Sequence, residues 1–344
     1  MQFTTLGDSG LNVSKIIVGC MTFGLKQWAD WCIEEEDQVM EILYKCYQNG
    51  LRTFDTADVY SNGVSEKLLA KFIEKYNIPR DRIVILSKLF FPVEPEILDF
   101  RDGFQENDFP PFEHINSKGL SRKHIFDAVE KSVERLGTYI DVLQIHRLDK
   151  TPKKEIMKAL NDVVDKGYTR YLGASSMKAV EFAELQFIAE QNGWFKFISM
   201  QNYYNLIHRE DERELIPFLQ SSTLGKVTSI PWSPIARGFL ARPIGGKLQD
   251  NRDKTDKTIY RMGLNSLSDA DIEIINRVEK ISKKLSFSMA NIATAWVLAK
   301  GHCPIVGINS IERVDDTLRA FDVKLSEDDI KYLEEPYAPK NPIV

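Results

Sequence analysis

Four side chains suited to proton transfer stand at or just past the ends of short apolar runs. Asp55 follows Thr53-Phe54, Lys88 closes Ile83-Val84-Ile85-Leu86-Ser87, His146 follows Asp141-Val142-Leu143-Gln144-Ile145, and Tyr60 lies shortly beyond Asp55. An unperturbed phenol has a pKa near ~10 and donates poorly at neutral pH. A neighbouring ammonium lowers that value, and a partly buried lysine keeps its proton when a carboxylate holds it charged. The four residues are therefore expected to make a general acid tuned toward working pH, with Tyr60 as donor, Lys88 as modulator and Asp55 as its counter-ion. Taken singly, each has a plain explanation: Tyr60 as a rim residue, Lys88 as a solvated strand end, Asp55 as a turn cap. Only the combination is chemically coherent.

The elements that must gather them can be read from periodicity. Strand-like runs fall at 16–18, 52–55, 83–88, 141–146, 169–175, 197–201, 227–232 and 303–306. Helical stretches lie near 37–49, 65–76, 121–136, 153–166, 177–192, 210–220, 269–301 (as two helices) and 311–321. Strands alternating with helices of this length mean βαβ units and a parallel sheet. Eight units fit a closed (β/α)8 barrel of the α/β class, in which the carboxyl ends of the strands converge on one mouth. In the helix 65–76, Leu68, Leu69, Phe72 and Ile73 share one stripe and Ser65 reads as the N-cap, while Gly167 reads as a C-cap after Lys166. Leu6-Gly7-Asp8-Ser9-Gly10-Leu11 reads as a tight hairpin turn. No repeat or interdomain linker interrupts the pattern, so a single domain spanning 1–344 is expected.

Three connections exceed what a barrel requires: 24–36, 89–120 and 233–268. Connections this long are usually functional lids or disordered segments. The first two follow strands one and three and carry many aromatics. Phe23, Trp28, Trp31, Phe90 and Phe91 are expected to wall a substrate pocket, with Phe100, Phe104, Phe109 and Phe112 further along the second connection.

The 344 residues are 43% hydrophobic and 28% charged, ordinary for a soluble globular protein, and the net charge of −5 argues against nucleic acid as a partner. No run approaches the ~18 apolar residues of a membrane span. The start, Met1-Gln2-Phe3-Thr4-Thr5, has no charged or apolar leader region, so no signal peptide is expected. Cys20, Cys32, Cys46 and Cys303 have no paired spacing and read as buried thiols, with a cytoplasmic location following. The chain has no G-x-G-x-x-G, H-E-x-x-H or G-x-S-x-G, and its histidines lack metal-ligand spacing. No metal is expected, and the usual dinucleotide fingerprint is missing.

Several segments together resemble the aldo-keto reductase superfamily. They are Phe54-Asp55-Thr56-Ala57-Asp58-Val59-Tyr60, Leu86-Ser87-Lys88, Gln144-Ile145-His146-Arg147, Leu172-Gly173-Ala174-Ser175-Ser176 and Pro231-Trp232-Ser233-Pro234, in family order over nearly the whole chain. Gln201-Asn202-Tyr203-Tyr204-Asn205-Leu206 and the stretch from Arg209 to Pro217 are most similar to the fungal aryl-alcohol dehydrogenase-like branch.

The resemblance implies a barrel that binds NADPH in extended form, and reduction of an aldehyde or ketone by hydride transfer. Tyr60 would donate the proton, Lys88 and Asp55 would tune it, and His146 would orient the carbonyl. Ser175, Ser176 and Gln201 would hold the carboxamide, Trp232 would stack on the nicotinamide, Gly19 and Met21 would lie near its ribose, and Asp55 would also be among the cofactor-binding residues. Ser233, Ile235 and Arg237 would meet the pyrophosphate. Gly307, Asn309, Arg313 and Asp316 would form the adenosine end. Two departures appear there: Gly307 stands where many members carry a lysine for the 2′-phosphate, and Thr317 where an asparagine is usual. Arg313 suits both stacking and phosphate, so NADPH (NADP+) is favoured over NADH. The bland alternatives are that Ser175-Ser176 cap a helix near Met177 and that Trp232 is core. The expected partner is a small aryl or apolar carbonyl compound, with the chain a monomer or weak homo-oligomer. The rival is a nicotinamide-binding regulatory subunit, because the potassium channel β subunits also resemble this family. A barrel hydrolase would need two carboxylates about 5 to 9.5 Å apart in the mouth, and only Asp55 and Asp58 are candidates.

Overall fold

The short aliphatic runs pair side by side in the computed structural model, which describes residues 2–93, 112, 114–221, 223–246 and 255–343. Strands β3 (Ile17–Gly19), β4 (Thr53–Asp55), β5 (Val84–Leu89), β6 (Ile140–Ile145), β7 (Thr169–Ser175), β8 (Phe197–Gln201), β9 (Thr228–Ser229) and β10 (Ile305–Gly307) form one sheet. All its pairings are parallel, in the order β10-β3-β4-β5-β6-β7-β8-β9. The two edges meet. The Cys303 amide donates to the Ser229 carbonyl at 3.1 Å, the Ile305 amide donates to Pro231 at 2.8 Å, and Trp232 bridges Ile305. The sheet is thus closed into a (β/α)8 barrel.

Period-two alternation divides the core into two layers. On β6, Val142 points into the barrel with Ile17, Leu86, Ile198, Ile230 and Ile305. Its neighbour Leu143 points outward to join Val18, Phe54 and Ile85 against helix residues such as Leu43, Phe72 and Val129. The outer layer comprises helices Glu36–Gln48, Val64–Lys75, Arg122–Leu136, Lys153–Asp165, Ala179–Asn192 and Leu215–Ser221. Asp269–Leu285, Met289–Ala299 and Ile311–Arg319 complete it. A fully buried aliphatic side chain contributes about 1.5–3 kcal/mol, so both layers are needed to hold strands this short.

The opening hairpin, β1 (Phe3–Thr5) antiparallel to β2 (Asn12–Ser14), closes the amino end of the barrel. Leu6 and Val13 enter the interior cluster. The Gly7 amide donates to Thr228 Oγ1 at 2.7 Å and the Asp8 amide to the Lys226 carbonyl at 2.9 Å, both at the foot of β9.

Two expectations are corrected. The run 227–232 yields a strand of only two residues, because Pro231 has no N–H to continue the ladder. Ser65 is not an N-cap. The helix starts at Val64 after left-handed Ser61, Asn62 and Gly63, and the Ser65 hydroxyl instead donates to the Cys20 carbonyl at 3.0 Å and accepts from Thr56 Oγ1. The 269–301 stretch does divide, at left-handed Ser286, with Ser288 capping the second helix. Helices Lys257–Arg261 and Glu327–Glu334 carried no anticipated signal. The four cysteines are buried free thiols. No helix among the described residues is long and apolar enough to cross a membrane.

Candidate active site

The strand register brings Asp55, Lys88, Gln144 and Gln201 into one polar layer at the carboxyl end of the barrel. Lys88 pairs with Gln144, and Ser175 with Gln201, across neighbouring strands. Lys88 is fully buried, and its ammonium uses three donors: Asp55 Oδ2 at 2.6 Å, the Thr56 carbonyl at 2.9 Å and the Tyr60 hydroxyl oxygen at 3.1 Å. The other carboxylate oxygen of Asp55 accepts from Gln144 Nε2 at 3.0 Å and Gln201 Nε2 at 2.9 Å. Gln201 also donates to Gln144 Oε1 at 2.9 Å. The two glutamines thereby hold Asp55 in place beneath the lysine.

Charge follows from this geometry. Burial works against the Lys88 ammonium, but Asp55 and then Tyr60 outweigh it and raise its pKa. For Tyr60, burial raises the pKa by more than Lys88 lowers it, and Asp55 adds to the rise. That net direction corrects the expectation of a phenol drawn down toward neutrality, because burial disfavours the phenolate more than one shared ammonium favours it. The phenol is therefore protonated at neutral pH. Its oxygen already accepts from Lys88, which leaves its own O–H as a donor.

His146 stands one residue past β6, its ring 6.0 Å from that of Tyr60 at 82°. Burial first, then Lys88 and Arg147, hold its pKa well below the ordinary imidazole value. The neutral ring keeps one N–H for donation. Trp28 packs on both Trp31 (5.9 Å) and Tyr60 (6.3 Å), and Phe91 meets His146 edge-on at 5.2 Å.

These groups border a continuous cleft of about 760 Å³. Asp55, Tyr60 and His146 line it, with Lys88 beneath. So do Gly19, Met21, Ser175, Ser176, Gln201, Trp232, Ser233, Ile235, Arg237, Gly307, Asn309, Arg313 and Asp316, and the aromatics Trp28, Trp31 and Phe91. Phe23 and Phe90 do not line it. Phe23 is buried in the main core and Phe90 packs on that core. Phe112 is 74% exposed and walls nothing. Phe100, Phe104 and Phe109 lie outside the described residues.

Backbone conformation shapes the middle of the cleft. Ser233, Ala236, Arg237 and Gly238 all have positive φ. The turn closes on itself, the Ala236 amide donating to the Ser233 carbonyl and the Gly238 amide to the Ile235 carbonyl, each at 2.9 Å. Arg237 leans on the buried Asp256 at 3.2 Å, and Asp256 caps the helix Lys257–Arg261 by accepting from the Thr258 amide. Trp232 lies 4.6 Å from Tyr203. At the far end Ser310 caps the helix that carries Arg313, and Asp316 Oδ2 accepts from Ser288 at 3.2 Å.

Gln144, Arg147, Thr258 and Arg261 also belong to this site, and no role was anticipated for them. Gln144 had a signal: it sits near the carboxyl end of β6, two residues before His146. Arg261 had none, since it lies on a five-residue helix inside a long connection.

The sequence matches the aldo/keto reductase family over residues 15–338, and the chain belongs to that family of oxidoreductases. A Saccharomyces cerevisiae protein named provisionally as aryl-alcohol dehydrogenase AAD16 is 56% identical over 336 residues, 97% of this chain and 96% of its own length. A Schizosaccharomyces pombe protein named provisionally as aryl-alcohol dehydrogenase C977.14c is 55% identical, with coverages of 97% and 95%. The versiconal hemiacetal acetate reductase of Aspergillus parasiticus is 51% identical over 342 residues, with coverages of 99% and 98%.

Proposed function

We propose that this chain reduces aldehydes or ketones to alcohols with NADPH as hydride donor and Tyr60 as general acid. The observation that carries the reading is the donor arrangement at Lys88. All three ammonium protons are engaged, one on the Tyr60 oxygen, so the phenolic O–H is free to face the cleft. Tyr60 and neutral His146 then offer two donors to one carbonyl oxygen, where alkoxide charge develops during reduction.

The cleft residues fit an extended nicotinamide dinucleotide. Ser233, Ile235 and the cationic Arg237 line the middle of the cleft, where the pyrophosphate would lie. A Cβ at Gly19 would press to 3.0 Å on Ile305, whereas one at Gly307 would meet nothing within 4 Å, so that end has room for a phosphorylated ribose. When bound, the dinucleotide supplies the hydride. Arg313 lines that end of the cleft, and a guanidinium beside a 2′-phosphate favours NADPH over NADH. Trp28, Trp31 and Phe91 make an apolar aromatic wall beside Tyr60, and the names of the similar dehydrogenases and reductase support an aromatic or apolar carbonyl substrate.

The test is NADPH consumption with benzaldehyde by wild type and Tyr60→Phe, run beside the same assay with NADH. Tyr60→Phe is expected to lose reduction by about a thousandfold while still binding NADPH, as judged by quenching of tryptophan fluorescence. Equal turnover by the two proteins would refute Tyr60 as the acid.

A further inference from the structure

We propose that Arg147 and Arg261 form an anion subsite beside the catalytic groups, so that the preferred carbonyl substrates carry a carboxylate. This rests on the reductase reading above and narrows its substrate class.

Arg147 follows His146 directly at the end of β6, and its side chain lines the cleft with Trp28, Trp31 and Phe91. Arg261 ends the short helix over the cleft and lines it too, one helical turn from Lys257. The two guanidiniums are close enough to repel. Burial and then Arg261 bring the Arg147 pKa down to about 10, and Tyr60 acts on it in the opposite sense. Arg147 is thus charged at neutral pH and near the proton donor, away from the adenosine end.

Several half-buried guanidiniums elsewhere in the protein have carboxylates: Arg135 with Glu66 (2.6 Å), Arg80 with Asp141 (2.6 Å), Arg209 with Glu212 (2.7 Å) and Arg237 with Asp256 (3.2 Å). No hydrogen bond or ion pair joins Arg147 or Arg261 to any carboxylate among the described residues. Arg147 is half-buried and Arg261 exposed at the rim of the cleft, so an anion reaching both would meet a cation already partly shielded from water, and a planar guanidinium is matched in shape by a carboxylate. An apolar ring against the tryptophans with its acid group on the arginines would satisfy both features of this end of the cleft.

The experiment compares 2-, 3- and 4-carboxybenzaldehyde with their methyl esters, by NADPH consumption and by equilibrium binding to the NADP+ complex. For at least one isomer, kcat/KM of the acid should exceed that of the ester by about tenfold or more. In Arg147→Gln and in Arg261→Gln that ratio should fall by about tenfold, and Arg147→Lys should restore part of it. The binding preference for the acid should vanish in parallel. Equal treatment of acid and ester by wild type would overturn the subsite. So would an unchanged ratio in both glutamine variants accompanied by a raised KM for NADPH, which would assign the arginines to the cofactor phosphates. Selective binding of the acid without consumption of NADPH on any of these aldehydes would instead sink the reductase reading and leave the subsite standing.

Discussion

At the residue scale the governing object is a cation held in a dry interior. Lys88 is tolerated because Asp55, the Thr56 carbonyl and Tyr60 take its three protons, and because Gln144 and Gln201 fix the other oxygen of Asp55. Removing one member of such a pair strands the other. Lys88→Met should therefore destabilise the fold by about 3–5 kcal/mol in urea unfolding. Adding Asp55→Asn should recover much of that loss while leaving carbonyl reduction absent. If the double variant were no more stable than the single, the pair would not be what the lysine contributes. Asp55, Tyr60, Lys88 and His146 could be picked out as a group from their positions after apolar runs. The sign of the Tyr60 shift could not, because it depends on burial, and burial is a sum over neighbours that only folding assembles. The same reason explains Phe23 and Phe90, whose type suited a pocket wall but which pack in or on the core.

At the element scale, strands and helices were largely legible because apolar period is a local property. Strand ends moved by a residue or two, and the seventh strand shortened where Pro231 withdrew a donor. The amino-terminal hairpin was visible as a turn, but not its role in closing the barrel, which requires Thr228 and Ile198 to arrive from far along the chain. Gly7 has φ +57°, and a Cβ there would come within 2.2 Å of the Ile198 carbonyl oxygen. Backbone cannot swing aside as a flexible side chain can, and the left-handed conformation adds strain for any other residue. Gly7→Ala should lower stability by on the order of 2–3 kcal/mol without changing the KM for NADPH, as measured by thermal unfolding and initial rates. Wild-type thermal stability in that variant would mean the hairpin is not seated against β8 and β9.

Across the whole molecule, buried titratable groups couple the fold to pH. His124 and His302 are buried, and burial brings both pKa values down to about 4. As pH falls through the ordinary imidazole value of 6.5, the unfolded chain takes up protons that the folded one refuses, so each histidine subtracts stability until about pH 4. Asp211 acts in the opposite sense. Burial raises its carboxyl to about 6, so the folded chain binds that proton first and gains stability on acidification. The net slope is a contest, but one variant isolates one side of it. His302→Asn should lose less stability than wild type between about pH 7 and about pH 4.5. An identical loss in both proteins would show that His302 is not held neutral.

Residue order alone determined the alternation of strand and helix, the eightfold repeat of that unit, and which side chains reach the carboxyl ends of the strands. Those properties follow from periodicities of two and 3.6 along a single segment. Tertiary structure decided the rest: that Gln144 and Gln201 brace Asp55, that Tyr60 keeps its proton, and that Arg147 and Arg261 line one cleft with no carboxylate paired to either among the described residues. Desolvation and Coulomb interaction act through space, and residues 261 and 147 become neighbours only once the barrel has closed and a short helix has folded over its mouth.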